Sequence, residues 1–147
     1  MLFQIHYIMR ETMLIIHFIG LVMGLGTSFA HAFLSIATAK MPIDEVTKFR
    51  MHSLVLSKMG NIGIVLLTVS GLYLITPYWS VLSSMPLLMV KLALVAILIV
   101  LIALINAGAK KARNGNAEIE LQKMEKLGKL TLFIGLAIVI IAVNVFH

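Results

Sequence analysis

Four uninterrupted apolar stretches, each close to the length that crosses a bilayer, constrain this chain more than any other feature. They run from about Met13 to Ala39, Val55 to Ile75, Pro86 to Ala107 and Leu130 to Phe146. About 20 apolar residues in a helix cross the roughly 30 Å hydrocarbon layer. Inside that layer no water meets the backbone, so each segment must satisfy its own N–H and C=O groups, as a helix does. The expected fold is all-α: an integral membrane four-helix bundle, up-down-up-down, forming one transmembrane domain over residues 1–147. Helices are expected at about 12–39, 43–76, 85–109 and 116–146. The first stretch is too long for a signal peptide and lacks a clear cleavage site, so it reads as a retained helix.

Composition agrees. The chain is 61% hydrophobic and 12% charged, with a mean hydropathy of +1.05, far from the balance of a soluble domain. It contains no cysteine, which excludes disulfides, thiolate metal sites and iron–sulfur clusters. The net charge of +6 falls mostly in two connections, so no nucleic-acid partner is expected. There is no acidic pair, P-loop or nucleophile elbow.

Those charges set the orientation. Lys40, Lys48, Arg50 and Lys58 surround the first connection, and Lys110, Lys111, Arg113, Lys123, Lys126 and Lys129 the third. The second, Thr76 to Met85, carries none. The positive-inside rule puts the first and third in the cytoplasm and both termini on the other side, as expected of a multi-pass protein of the inner (cytoplasmic) membrane. Tyr78 and Trp79 then sit at the far interface as an aromatic belt. Pro42 with Asp44 reads as a helix start, and Asn114-Gly115-Asn116 as a break with Asn116 as N-cap. Ile119, Leu121, Met124 and Leu127 form an apolar stripe that lies on the interface or packs on neighbouring helices.

Polar side chains within a membrane need a reason. Helix one carries His17 and His31, fourteen residues apart. They return to within about 40° of one line, about 21 Å apart along the axis. Gly20, Gly24 and Ser28 lie on that face. A haem is a flat plate whose iron takes an axial imidazole, and it approaches a helix only past small side chains. Two histidines so spaced, with glycines between, resemble the haem-bearing helices of the cytochrome b family. The resemblance implies haem b, one per chain or two stacked across the membrane. Gly20-x-x-x-Gly24 is equally an ordinary helix-packing motif.

A second imidazole is expected from His52. If the first hairpin turns at residues 41 and 42, His31 and His52 stand level, each about 15 Å from the turn. Gly60 and Gly63 leave room nearby. The alternative is a His52 that is merely solvated on a helical extension. Near the level of His17 comes Lys91, a cation in an otherwise apolar helix. It either binds an anionic group or carries a proton there, or it snorkels to the interface. Met13, Met23, Met89, Asn144 and His147 are further axial candidates, and His6 reads as an exposed tail residue.

Leu14-Ile-Ile-His17-Phe-Ile-Gly20, Asn61-Ile-Gly63, Ser70-Gly71-Leu-Tyr-Leu and Leu88-Met-Val-Lys91-Leu-Ala-Leu resemble, in order and spacing, small four-helix proteins of the HemJ type. That protoporphyrinogen oxidase class neighbours the CopD copper-resistance proteins. The resemblance covers about residues 14 to 110 and implies functional roles for His17 and a catalytic role for Lys91. Helix one lacks the tryptophan and internal arginine of that class.

The expected function is a b-type haem membrane protein that takes part in electron transfer, with His17, His31 and His52 as metal ligands and Gly20, Gly24 and Gly63 admitting the ring. Its expected partners are the lipid bilayer, a second copy or a larger redox complex, and a quinone or cytochrome. Two alternatives stand beside it: a protoporphyrinogen oxidase, and a cofactor-free accessory or metal-ion transport subunit.

Overall fold

The computed structural model describes residues 2–146, all helical apart from short connections. The first helix, α1 (Leu2–Ala37), is a single rod of 36 residues, about 54 Å long. It starts well before residue 12, because the segment ahead of the apolar stretch contains no glycine or proline to interrupt it. His6 is therefore an exposed helical residue and not part of a loose tail. After a turn, α2 (Ile43–Ser53) opens behind Pro42, with Asp44 and Glu45 on its positive end. It runs almost straight into α3 (Val55–Leu74), since Leu54 between them keeps right-handed helical dihedrals (φ −58°, ψ −19°).

The second connection is ordered too, a 3₁₀ helix over Thr76–Ser84. Pro86 then opens α4 (Pro86–Arg113) at its first turn, where the missing N–H costs nothing. The chain leaves α4 at Asn114 and reverses at Gly115, whose φ of +127° suits glycine alone, before α5 (Ala117–Phe146). Four helices among the described residues are long and apolar enough to cross a membrane: α1, the joined α2–α3, α4 and α5.

The helices associate as two pairs. α1 lies along α3 and α4 along α5; α1 also meets α5, while α3 and α4 touch at few points. Between the pairs runs a long cleft. The α1–α3 contact is backbone against backbone. A Cβ on Gly63 would stand 2.7 Å from the Gly24 nitrogen and 2.9 Å from the Gly20 carbonyl oxygen, and one on Gly20 would stand 2.9 Å from the Gly63 oxygen. Without a hydrophobic force between helices in lipid, close approach of this kind is what holds them. Gly20 and Gly63 thus do not make room for a porphyrin, as the sequence reading had it. Their space is filled by the opposite helix, and the helix-packing alternative accounts for both.

Serines and threonines are accommodated by bonding their own helix. Thr27, Thr38, Thr68 and Ser70 each donate to the carbonyl four residues back. A reciprocal amide pair in the cleft bonds across helices instead: Asn61 on α3 and Asn106 on α4 each donate to the other at 3.0 Å. It is the principal polar link across the sparse α3–α4 contact. Asn61→Leu is expected to cost about 1 kcal/mol in detergent unfolding by orphaning Asn106. The double leucine variant is expected to recover part of that loss.

At the basic end a small core forms from Leu54, Ala112 and Leu121, with Met51, Ala109, Ala117 and Met124 packed on it. The apolar stripe of early α5 is therefore a packing surface at Leu121 and Met124, while Ile119 stays exposed. Beside this core Glu125 accepts the Ser35 hydroxyl, Arg50 at 2.6 Å and Lys129 at 2.9 Å, tying α1, α2 and α5 together. Glu125 precedes the apolar stretch that begins at Leu130. Burial pushes its carboxyl up, but the Ser35 hydroxyl, Lys129 and Arg50 outweigh that and bring it from 4.5 to about 2. A carboxyl depressed on folding stabilises the fold above its unfolded value and loses that contribution as pH falls towards the folded one. Unfolding followed from pH 6 to 3 is expected to show stability falling below about 4.5. In Glu125→Gln that limb should flatten.

Candidate functional site: the cleft between the helix pairs

The cleft has a volume of about 970 Å³, at the upper end of the roughly 300–1,000 Å³ of small-molecule sites. Leu21, Leu25, Ile64, Leu67, Val95, Leu98, Ile102 and Val139 give it apolar walls. Polar groups stand at four levels. Tyr7, Arg10, Glu11 and Tyr78 lie at one mouth, and Arg50, Glu125 and Lys129 at the other. His17 and Lys91 line it nearer the first, and Ser28, His31, Asn61 and Asn106 nearer the second.

His17 is half-buried and held. Its Nδ1 lies 2.9 Å from the Ser70 Oγ, on a residue with no exposed surface at all. The Ser70 hydroxyl has a single proton, and its closest acceptor is the Leu66 carbonyl. With its proton on that carbonyl the Ser70 oxygen accepts from Nδ1–H, the tautomer in which Nε2 is the basic nitrogen of the ring. Gly71 completes the seat, since a Cβ there would come within 3.4 Å of the His17 Cε1. A hydroxyl that fixes the tautomer of an imidazole is the outer-shell arrangement that orients histidine ligands.

His31 differs. It is half-buried and lines the same cleft, yet no group among the described residues bonds its ring. His52 does not face it. That side chain is exposed, its Nδ1 bonds the Lys48 carbonyl of its own helix at 2.7 Å, and it does not line the cleft. The register explains part of the difference. Gly24 meets Gly63, Thr27 meets Gly60 and His17 meets Ser70, so the residue level with His31 is Leu56, one turn beyond His52. The structure therefore brings His17, His31, Gly24 and Lys91 to one cleft and leaves His52 outside it.

Of the other axial candidates, Met13, Met23 and Met89 do not line the cleft. Asn144 is exposed and bonds the Ile140 carbonyl of its own helix. His147 lies outside the described residues. No group of three or more His, Cys, Asp or Glu side chains among the described residues is placed to hold a metal ion, which leaves single-imidazole ligation of a haem untouched. Sequence reasoning overlooked Ser70, Asn106 and Glu125 as site residues. For Asn106 the signal was present: an amide within an apolar helix asks for a partner.

Comparison with known proteins finds no matching family model, no matching curated protein and no matching solved structure. The HemJ-type resemblance therefore rests on the quoted residues alone.

Proposed function

We propose that this chain is a b-type haem-binding membrane protein that takes part in electron transfer, with the haem in the cleft between the helix pairs. One observation carries the reading: His17 lines a cleft of ligand size with its Nδ1 held by Ser70 at 2.9 Å. The donor set fits the group. His17 would hold the iron through its imidazole, Gly24 lines one wall without a side chain, and Lys91 and Arg10 would supply positive charge for propionates. When bound, the haem contributes one-electron oxidation and reduction at its iron. The protein's part is to orient the imidazole, enclose the ring in apolar walls and place cations at its edge. His31 lacks an outer-shell partner and is not assigned to the iron in this reading.

The membrane setting belongs to the same proposal. The four long helices form an up-down-up-down bundle in the cytoplasmic membrane, with the basic connections inside and both termini outside. The chain works with a second copy or a larger redox complex.

The experiment is a reduced-minus-oxidised spectrum of the purified protein, with haem quantified per chain. A Soret band and a reduced α-band near one haem per chain are expected; carefully handled protein without haem ends the proposal. A second reading is favoured by Lys91 sharing the cleft with His17: oxidation of a porphyrinogen by the HemJ-type chemistry, with a quinone or cytochrome as acceptor. Rescue of a strain lacking protoporphyrinogen oxidase, lost in Lys91→Ala, would select it.

A further inference from the structure

We infer that the cleft holds a second binding station, at His31, Asn61 and Asn106, for the headgroup of a lipid-soluble quinone. The inference goes beyond the haem reading and stands whether or not a haem is bound.

The hydrogen-bond inventory leads to it. A half-buried imidazole inside a membrane protein is costly unless something bonds it, and no described residue bonds His31. Asn61 and Asn106 use one N–H and one carbonyl each in their reciprocal pair. A primary amide has two N–H groups, so each keeps one more donor. Three N–H donors without an acceptor among the described residues therefore line the cleft, counting one from the neutral imidazole, with His31 and the amide pair about 7 Å apart along the axis by the register of α1 on α3. Ser28, which lines the same stretch, has already given its proton to the Gly24 carbonyl. The station is rich in donors, and the group that completes it is an acceptor.

The charges choose the kind of acceptor. The cations towards that mouth, Arg50 and Lys129, are both committed to Glu125 at 2.6 and 2.9 Å. No fixed charge at the station calls for an anionic headgroup, and desolvating one there would be costly. A neutral carbonyl fits. The walls choose the rest of the molecule: from the station towards His17 the cleft is lined by Ile64, Leu67, Val95, Leu98 and Ile102. α3 and α4 meet at few points apart from the amide pair, so the gap between them gives access from the lipid. A quinone joins a flat, neutral ring with two carbonyl oxygens to a hydrocarbon tail. That combination matches donors, walls and route together.

The test uses the full chain in phosphatidylcholine nanodiscs, haem-loaded and haem-free, titrated with a decyl-substituted benzoquinone. Saturable binding with a shift of the His31 imidazole ¹⁵N resonance is expected in both preparations. His31→Leu should weaken binding about tenfold, the loss of one buried hydrogen bond. His31→Gln, which keeps a donor, should bind better than His31→Leu. His52→Ala, whose side chain is exposed and does not line the cleft, should leave quinone affinity unchanged. The inference is overturned if His31→Leu binds as wild type does, if decylbenzene binds equally well, or if phospholipid resonances occupy the station and the quinone does not displace them. A protein that binds the quinone but never haem would end the haem proposal and leave this one standing.

Discussion

Gly63→Leu is expected to abolish the α1–α3 pairing, and even Gly63→Ala to cost about 3 kcal/mol. A Cβ at this position meets backbone on the facing helix, with the Gly24 nitrogen at 2.7 Å, the Gly20 oxygen at 2.9 Å and the Gly24 Cα at 3.1 Å. No side chain can rotate away to relieve those contacts. The two rods must separate along their length, giving up dispersion contacts that nothing in lipid replaces. Overpacking of an interior typically costs about 1–3 kcal/mol, and a backbone-to-backbone contact sits at the top of that range. The control is Gly26→Ala, where an added Cβ meets nothing within 4 Å. Unfolding by sodium dodecyl sulfate, followed by circular dichroism, measures both. Equal midpoints for Gly63→Ala and wild type would show that the glycine crossing does not hold the fold.

His17→Ala is expected to purify without haem absorbance, the largest functional effect of any single substitution here. The proposed axial nitrogen is Nε2, and no other described imidazole that lines the cleft lies within one turn of it. Ser70→Ala should be milder. It removes the acceptor on which Nδ1–H rests and frees the ring to exchange tautomers, so haem affinity should fall about 10- to 100-fold, as outer-shell losses do. His52→Ala should change nothing, because that side chain is exposed and outside the cleft. Haem titration followed at the Soret band separates the three variants. Full haem occupancy in His17→Ala would remove the central claim.

How far the sequence reached follows from the range over which each signal acts. The four apolar rods, the helix start behind Pro42 and the break at Asn114 to Asn116 depend on local composition and backbone chemistry, and the structure has them. The N-terminal extension of α1 to Leu2 was missed because Arg10, Glu11 and Thr12 interrupt the apolar pattern ahead of Met13; helix simply propagates where no residue stops it. The site was legible as residue types. His17, His31, Gly24 and Lys91 all line one cleft, and all were selected because polar or small groups in a membrane helix are conspicuous.

Which partner each of them meets is another matter. Gly20 and Gly63 carry the same chemistry whether they face a porphyrin or another helix, and only the crossing of α1 on α3 decides for the helix. His52 seemed level with His31 on the assumption of a tight turn. The actual turn and the glycine crossing shift the register by one helical turn, and the rotation of α2 points the imidazole outward. Spacing along one helix determines which residues share a face, because the period of the helix is fixed. The phase between two helices is set by where their side chains interlock, and that became known only once α1, α3, α4 and α5 were packed together.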